Sequence, residues 1–172
     1  MSTETDLDLE EIGVSPGSGR GLTQSLAPAS SGSLVTLADG EVVDRSRPAF
    51  RKYRTSINFS DVVPFALGGL WEGDIVTIHS VAEIEQPAST TRERRHVPGS
   101  IVWRDDEGFE VDPGEDETVK PAAAEWQNYR PILHCRVEGW DIDTDEYGVL
   151  HSGSVSFIER YAGGKYPDEM EG

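Results

Sequence analysis

Cysteine is all but missing from this chain: Cys135 is the only one in 172 residues. An intrachain disulfide, a thiolate zinc cluster and a CxxC redox pair are thereby excluded, and nothing points to oxidising secretion. Lysine is nearly as scarce, because Lys52, Lys120 and Lys165 are the only ones and every other basic side chain is arginine. No apolar run approaches the ~20 residues of a membrane-spanning helix. The opening MSTETDLDLEEIG also lacks the basic and apolar regions of a signal peptide. The expectation is a soluble chain with no transmembrane segment. Phosphate-binding and dinucleotide-binding glycine motifs, the HxH pair of a cupin metal site, internal repeats and heptads are absent as well. The serines lie in a Gly/Ser-rich segment or alternate along strands, with no nucleophile elbow, so no catalytic residue and no cofactor is expected.

What the chain has in excess is acid. Asp and Glu number 32 against 15 Lys and Arg, for a net charge of -17 and an isoelectric point near 4.4. Such a surface repels phosphate backbones and anionic bilayers, so no specific nucleic-acid partner is expected. An acidic, lysine-poor surface suits multimolar salt, where a Debye length of about 3 Å at 1 M removes most self-repulsion. The length fits one domain. The apolar fraction of 36% and mean hydropathy of -0.46 leave part of the chain as loop or arm.

The Gly, Ser and Pro of GVSPGSGRGLTQSLAPASSGS predict a flexible N-terminal arm over 1–33, with at most a turn or two of helix at Asp6 to Ile12. From Leu34 to the end, short apolar runs bounded by Gly, Pro and Asp predict strands. They are placed at 34–37, 41–43, 56–59, 62–66, 74–84, 100–104, 109–112, 131–137, 139–142 and 154–161. PAAAEWQNYR, 121–130, is the one helix-like segment. Alternation places Leu133, Cys135 and Val137 inward with His134, Arg136 and Glu138 outward, and puts Val155 and Phe157 on one face. The fold class expected is all-β: a single jelly-roll-like β-barrel or sandwich over 34–172, with that arm and at most one short helix.

Asp141, Asp143 and Asp145 are spaced like the first ligands of a calcium loop, but Glu146 and Ser152 occupy the positions where an EF-hand needs Gly and Glu. They remain candidates for a looser cation site. His79, His134 and His151 stand in or beside strands, where pairing could bring two together. Two basic clusters interrupt the acid: Arg45, Arg47, Arg51, Lys52 and Arg54 around aromatic residues, then Arg92, Arg94 and Arg95. Arginine forks bind carboxylates and phosphates bidentately, so contacts with acidic faces of neighbouring subunits are expected, or an anionic lipid layer facing the first cluster, or pairing within the chain. Trp71 and Trp140 fall at loop or strand edges that suit an interface, and core packing is expected for at least two of the four tryptophans.

An arm, a β domain without a site, an acidic high-salt surface and isolated basic patches together resemble a small major capsid protein. The similarity is to the vertical single β-barrel capsid proteins of icosahedral, internal-membrane viruses of halophilic archaea, in size and character over the whole chain. The resemblance implies a jelly-roll barrel perpendicular to the shell, assembled in the host cytoplasm. Its partners would be itself and a second, larger capsid protein, with penton and membrane-associated virion proteins nearby. The rival expectations are a tail-tube, decoration or baseplate component of a tailed virus, and a cupin-like enzyme or carbohydrate-binding jelly roll.

Overall fold

The computed structural model describes residues 5–29, 34–45 and 51–161. Within them the chain forms strands and no α-helix: β1 (Asp8–Leu9), β2 (Thr23–Ala29), β3 (Leu34–Thr36), β4 (Val42–Asp44), β5 (Lys52–Asp61), β6 (Ile75–His79), β7 (Ile84–Pro87), β8 (Val102–Arg104), β9 (Glu110–Val111), β10 (Trp126–Tyr129), β11 (Ile132–Thr144) and β12 (His151–Glu159). A six-stranded antiparallel sheet has the order β1-β6-β11-β12-β5-β2, a four-stranded sheet the order β7-β10-β8-β9, and β3 and β4 form a separate hairpin. The all-β expectation holds.

The pairs β5·β12, β6·β11, β7·β10 and β8·β9 are nested, as if one long hairpin had been folded over. A jelly roll nests its pairs in this way, but deals alternate pairs to its two sheets. Here the outer two pairs share the large sheet through β11·β12, and the inner two share the small one through β8·β10.

Period-two patterning builds the main core. Ile57 and Phe59, Val76 and Ile78, Leu133, Cys135 and Val137, and Val155 and Phe157 all point to one face, where Leu7, Phe65, Leu67 and Leu70 cover them. Each such side chain removed from water contributes roughly 1.5–3 kcal/mol. The small sheet has its own cluster of Ala88, Ile101, Trp103, Ala124 and Tyr129.

Several expectations are corrected. The segment before residue 34 is not without regular structure. Leu7 and Leu9 are core residues, Glu11 accepts the amide and hydroxyl of Thr77 at 2.7 and 3.1 Å, and β2 pairs along β5. In the stretch expected to form at most a turn or two of helix, Glu11 is instead an acceptor for β6. The helix expected at 121–130 gives way to a turn closed by Ala124 N–H to the Pro121 carbonyl, followed by β10. Gln127 and Tyr129 alternate inward and both neighbouring strands supply ladder bonds, which override the alanine propensity. The strand expected at 62–66 is irregular and sends Phe65 onto Phe59, with ring centroids 5.1 Å apart. The run 74–84 breaks after His79 and resumes at Ile84, while 131–137 and 139–142 are one strand with a bulge between Val137 and Gly139.

Candidate assembly surface

The hairpin β3–β4 is closed by Asp39 and Gly40: Leu37 N–H donates to Glu41 O at 2.7 Å, and Gly40 takes a φ of 88°. Only glycine enters that left-handed region without strain. The hairpin sets Val35 against Val43 on one face, while on the other Leu34 stands opposite Asp44 and Val42 opposite Thr36. Leu34 is 70% exposed and Val42 59%, and no other described strand pairs with the hairpin. A two-stranded hairpin alone in water is marginal and needs a surface to pack on. Residues 34–44 therefore present apolar area that the other described residues leave uncovered.

Further apolar groups are exposed elsewhere. Trp71 is 77% exposed, its amide held by Asp74 Oδ2 at 2.8 Å, and the Trp140 indole donates to the adjoining Leu70 carbonyl at 2.8 Å. The two candidate tryptophans thus meet at one rim. Val62, Tyr147, Val149 and Leu150 are exposed toward the end of the sheet where Asp61 pairs with His151. Of the four tryptophans only Trp103 is buried, which corrects the expectation of at least two. Trp126 is excluded from the core because alternation gives the inward positions of β10 to Gln127 and Tyr129.

The basic clusters are largely spent inside the chain. Arg54 grips Glu138 through Nε and Nη2 at 2.9 and 3.0 Å. Lys52 donates to the Arg160 carbonyl at 3.0 Å. Arg92 bonds Gln127 Oε1 at 2.7 Å and stands 5.8 Å from the Trp103 ring. Arg94 is no surface residue, contrary to expectation. It donates to Glu159 from Nε and Nη2 at 3.1 and 2.9 Å and to the Arg51 carbonyl at 3.0 Å, and it lies over the Tyr53 ring at 4.4 Å. Burial pulls its pKa down, but the hydrogen bonds and charge of Glu159 outweigh burial and the net shift is upward. The Arg95 carbonyl accepts from Ile132, and Arg45, Arg51 and Arg95 are exposed; Arg47 lies outside the described residues.

The acidic triad does not converge. Asp141 accepts from Ser154 Oγ at 2.6 Å, and Asp143 is exposed two residues on. Asp145 caps the β11–β12 turn by accepting the amides of Val149 and Leu150, chiefly Leu150, which holds its carboxyl below the usual range. The histidines are dispersed as well: His79 contacts Glu10 at 2.8 Å, His134 Thr77 at 3.3 Å, and His151 Thr144 at 3.0 Å. Among the described residues no group of three His, Cys, Asp or Glu side chains is placed to hold a metal ion. Ser15 does stand in GVSPG, which has the G-x-S-x-G spacing. It lies among turns rather than between a strand and a helix, with its Oγ 3.2 Å from Ser18 Oγ. An open depression is lined by Asp105, Asp106, Ala123, Glu125 and Trp126 and is acidic, with no serine, cysteine or histidine in its lining.

Sequence reasoning missed the hairpin as a surface and missed the Arg94–Glu159 pair. The alternation Val155, Phe157, Glu159 would have placed Glu159 inward, but no local signal marks Arg94 as its partner. Comparison with protein-family models, with curated proteins and with solved structures finds no match to this chain.

Proposed function

We propose that this protein is a structural subunit that assembles with itself in high salt, and that the assembly is a virus shell. The observation that carries the reading is the hairpin β3–β4, whose Leu34, Val35, Leu37 and Val42 are exposed on an element that pairs with no other described strand. Burying Leu34 and Val42 against a neighbouring copy is worth roughly 1.5–3 kcal/mol each. The charge of -17 opposes such contacts at low salt and permits them once screened. The shell itself is proposed from the resemblance in size and composition, as are a second, larger capsid protein as partner and the virion as location.

Size-exclusion chromatography with light scattering, in ~3 M and ~0.2 M salt, tests the reading across a several-fold change in screening length. Discrete oligomers or shell-like particles in high salt, lost in low salt, are expected. A monomer in both overturns it.

A further inference from the structure

The six-stranded sheet has two edges of unlike character. At one, β1 is two residues long. At the other, β2 runs for seven residues, TQSLAPA, none of them charged, in a chain that carries 32 acids. The small sheet ends on β9, two residues long with Glu110, and on β7, four residues long with Glu85. Natural sheets blunt their edges by shortness, charge or proline. Among the described residues β2 is the long uncharged edge, and Pro28 is its one blunting feature.

The direction of its open backbone groups follows from β5. Tyr53 N–H donates to Glu159 Oε2 on β12 at 2.8 Å, so it turns away from Pro28, its register partner in β2. Pro28 therefore occupies a non-hydrogen-bonded position against β5, where the missing N–H of proline is tolerated. By alternation, Gln24 and Leu26 also turn their backbone N–H and C=O groups outward. Their side chains face inward. Gln24 donates to Thr55 Oγ1 at 2.9 Å and accepts the amides of Val81 and Ala82, and Leu26 packs on the main core. The strand is pinned from within, and among the described residues no strand pairs with its outer edge.

We propose that β2 pairs antiparallel with β2 of a second copy of this chain, about a two-fold axis at Ser25. This inference rests on the assembly reading and deepens it by naming a contact. The register sets Gln24 opposite Leu26 of the other copy, closing two N–H···O=C bonds at each of the two symmetric pairs. Pro28 falls toward the end of the ladder, where its missing donor removes least. Ser25 meets its counterpart, so the row Ser25, Ser56, Ser156 continues across the joined sheets with no like charges opposed. Ala29 comes opposite Gly21 of the second copy.

The test is the full chain carrying Ser25→Cys, air-oxidised with a copper catalyst in ~3 M salt and run on a non-reducing gel, alongside size-exclusion chromatography of the wild type. A covalent dimer is expected, because a non-hydrogen-bonded pair brings Cα atoms to about 4.5 Å, within disulfide reach. The wild type, whose one thiol is buried, stays unlinked. Leu26→Pro removes an outward N–H while leaving the β5 ladder its bonds, and it weakens self-association at least tenfold, whereas Leu26→Ala, which loses the same core packing but keeps the N–H, associates like the wild type. If Ser25→Cys does not link while the wild type still forms oligomers, the β2 pairing is overturned and the assembly reading stands. If the wild type is monomeric, both fall.

Discussion

Nη2 of Arg94 lies 2.9 Å from Oε2 of Glu159, with the two side chains only 4% and 2% exposed. Glu159 ends β12 in the large sheet, and Arg94 belongs to the loop that leads into β8 of the small one, so one buried ion pair ties the two together. Glu159 also accepts the Tyr53 amide and Arg94 donates to the Arg51 carbonyl, contacts that draw β5 into the same knot. Removing one partner strands a charge away from water. Glu159→Ala is expected to lower unfolding free energy by about 3–5 kcal/mol in urea titration, whereas Arg94→Met with Glu159→Leu loses much less. Equal losses in the two variants would show that the pair's charges are not what matters.

Asp61 accepts the Arg20 amide at 2.9 Å and meets its guanidinium at 3.0 Å; the amide bond, opposed by burial, leaves its carboxyl below the usual range. A folded-state pKa lower than the unfolded one of ~3.9 contributes stability above that value, and the contribution vanishes as pH falls through the lowered one. The urea midpoint of the wild type should therefore drop on going from pH 7 to pH 2.5 by more than that of Asp61→Asn. Parallel pH curves would refute the linkage.

A Cβ added at Gly153 would run into the Asp141 carbonyl and come within 2.8 Å of Phe59 Cζ. The obstacle is mostly backbone, which has nowhere to go in the middle of a paired strand. Gly153→Ala is expected to cost about 1–3 kcal/mol, read as a lower thermal midpoint.

Leu34→Ser combined with Val42→Thr changes exposed positions, so the isolated fold should move by no more than ~0.5 kcal/mol. The same variant should form smaller or fewer oligomers in high salt. Oligomers as abundant as those of the wild type would remove the hairpin from the interface.

Cys135 is wholly buried, and burial pushes its thiol pKa strongly up. A thiol reagent at pH 8 should therefore label it only after denaturant is added.

Much of the architecture was readable where alternation is strict. Leu133, Cys135 and Val137 face the core and their neighbours do not, because one strand position in two is out of water whatever the partner. The N-terminal segment misled because its Gly, Ser and Pro content outweighed Leu7, Leu9 and Leu26, three apolar residues that only long-range packing reveals as anchors. The segment 121–130 misled because alanine propensity is local, whereas β10 is made by strands on either side of it. For the candidate surface, the arginines stood out by composition, but apart from Glu93 beside Arg94 their carboxylate, amide and carbonyl partners lie far off in sequence. The hairpin's apolar residues looked like ordinary strand interior until their exposure was seen.

The nesting of β5·β12 around β6·β11, β7·β10 and β8·β9 has a consequence for the order in which the molecule is made. The innermost turn closes over a few residues, and each outer pair closes a longer loop at only a modest added entropy once the inner ones have formed. Folding can thus proceed as a zipper from β8·β9 outward, ending when β12 reaches β5 about a hundred residues away. On the ribosome β5 must wait for β12, the last described strand to be synthesised. The rail on which β2 is mounted is then complete only when the rest of the sheet is, so the sticky edge is displayed by finished molecules and withheld by nascent ones.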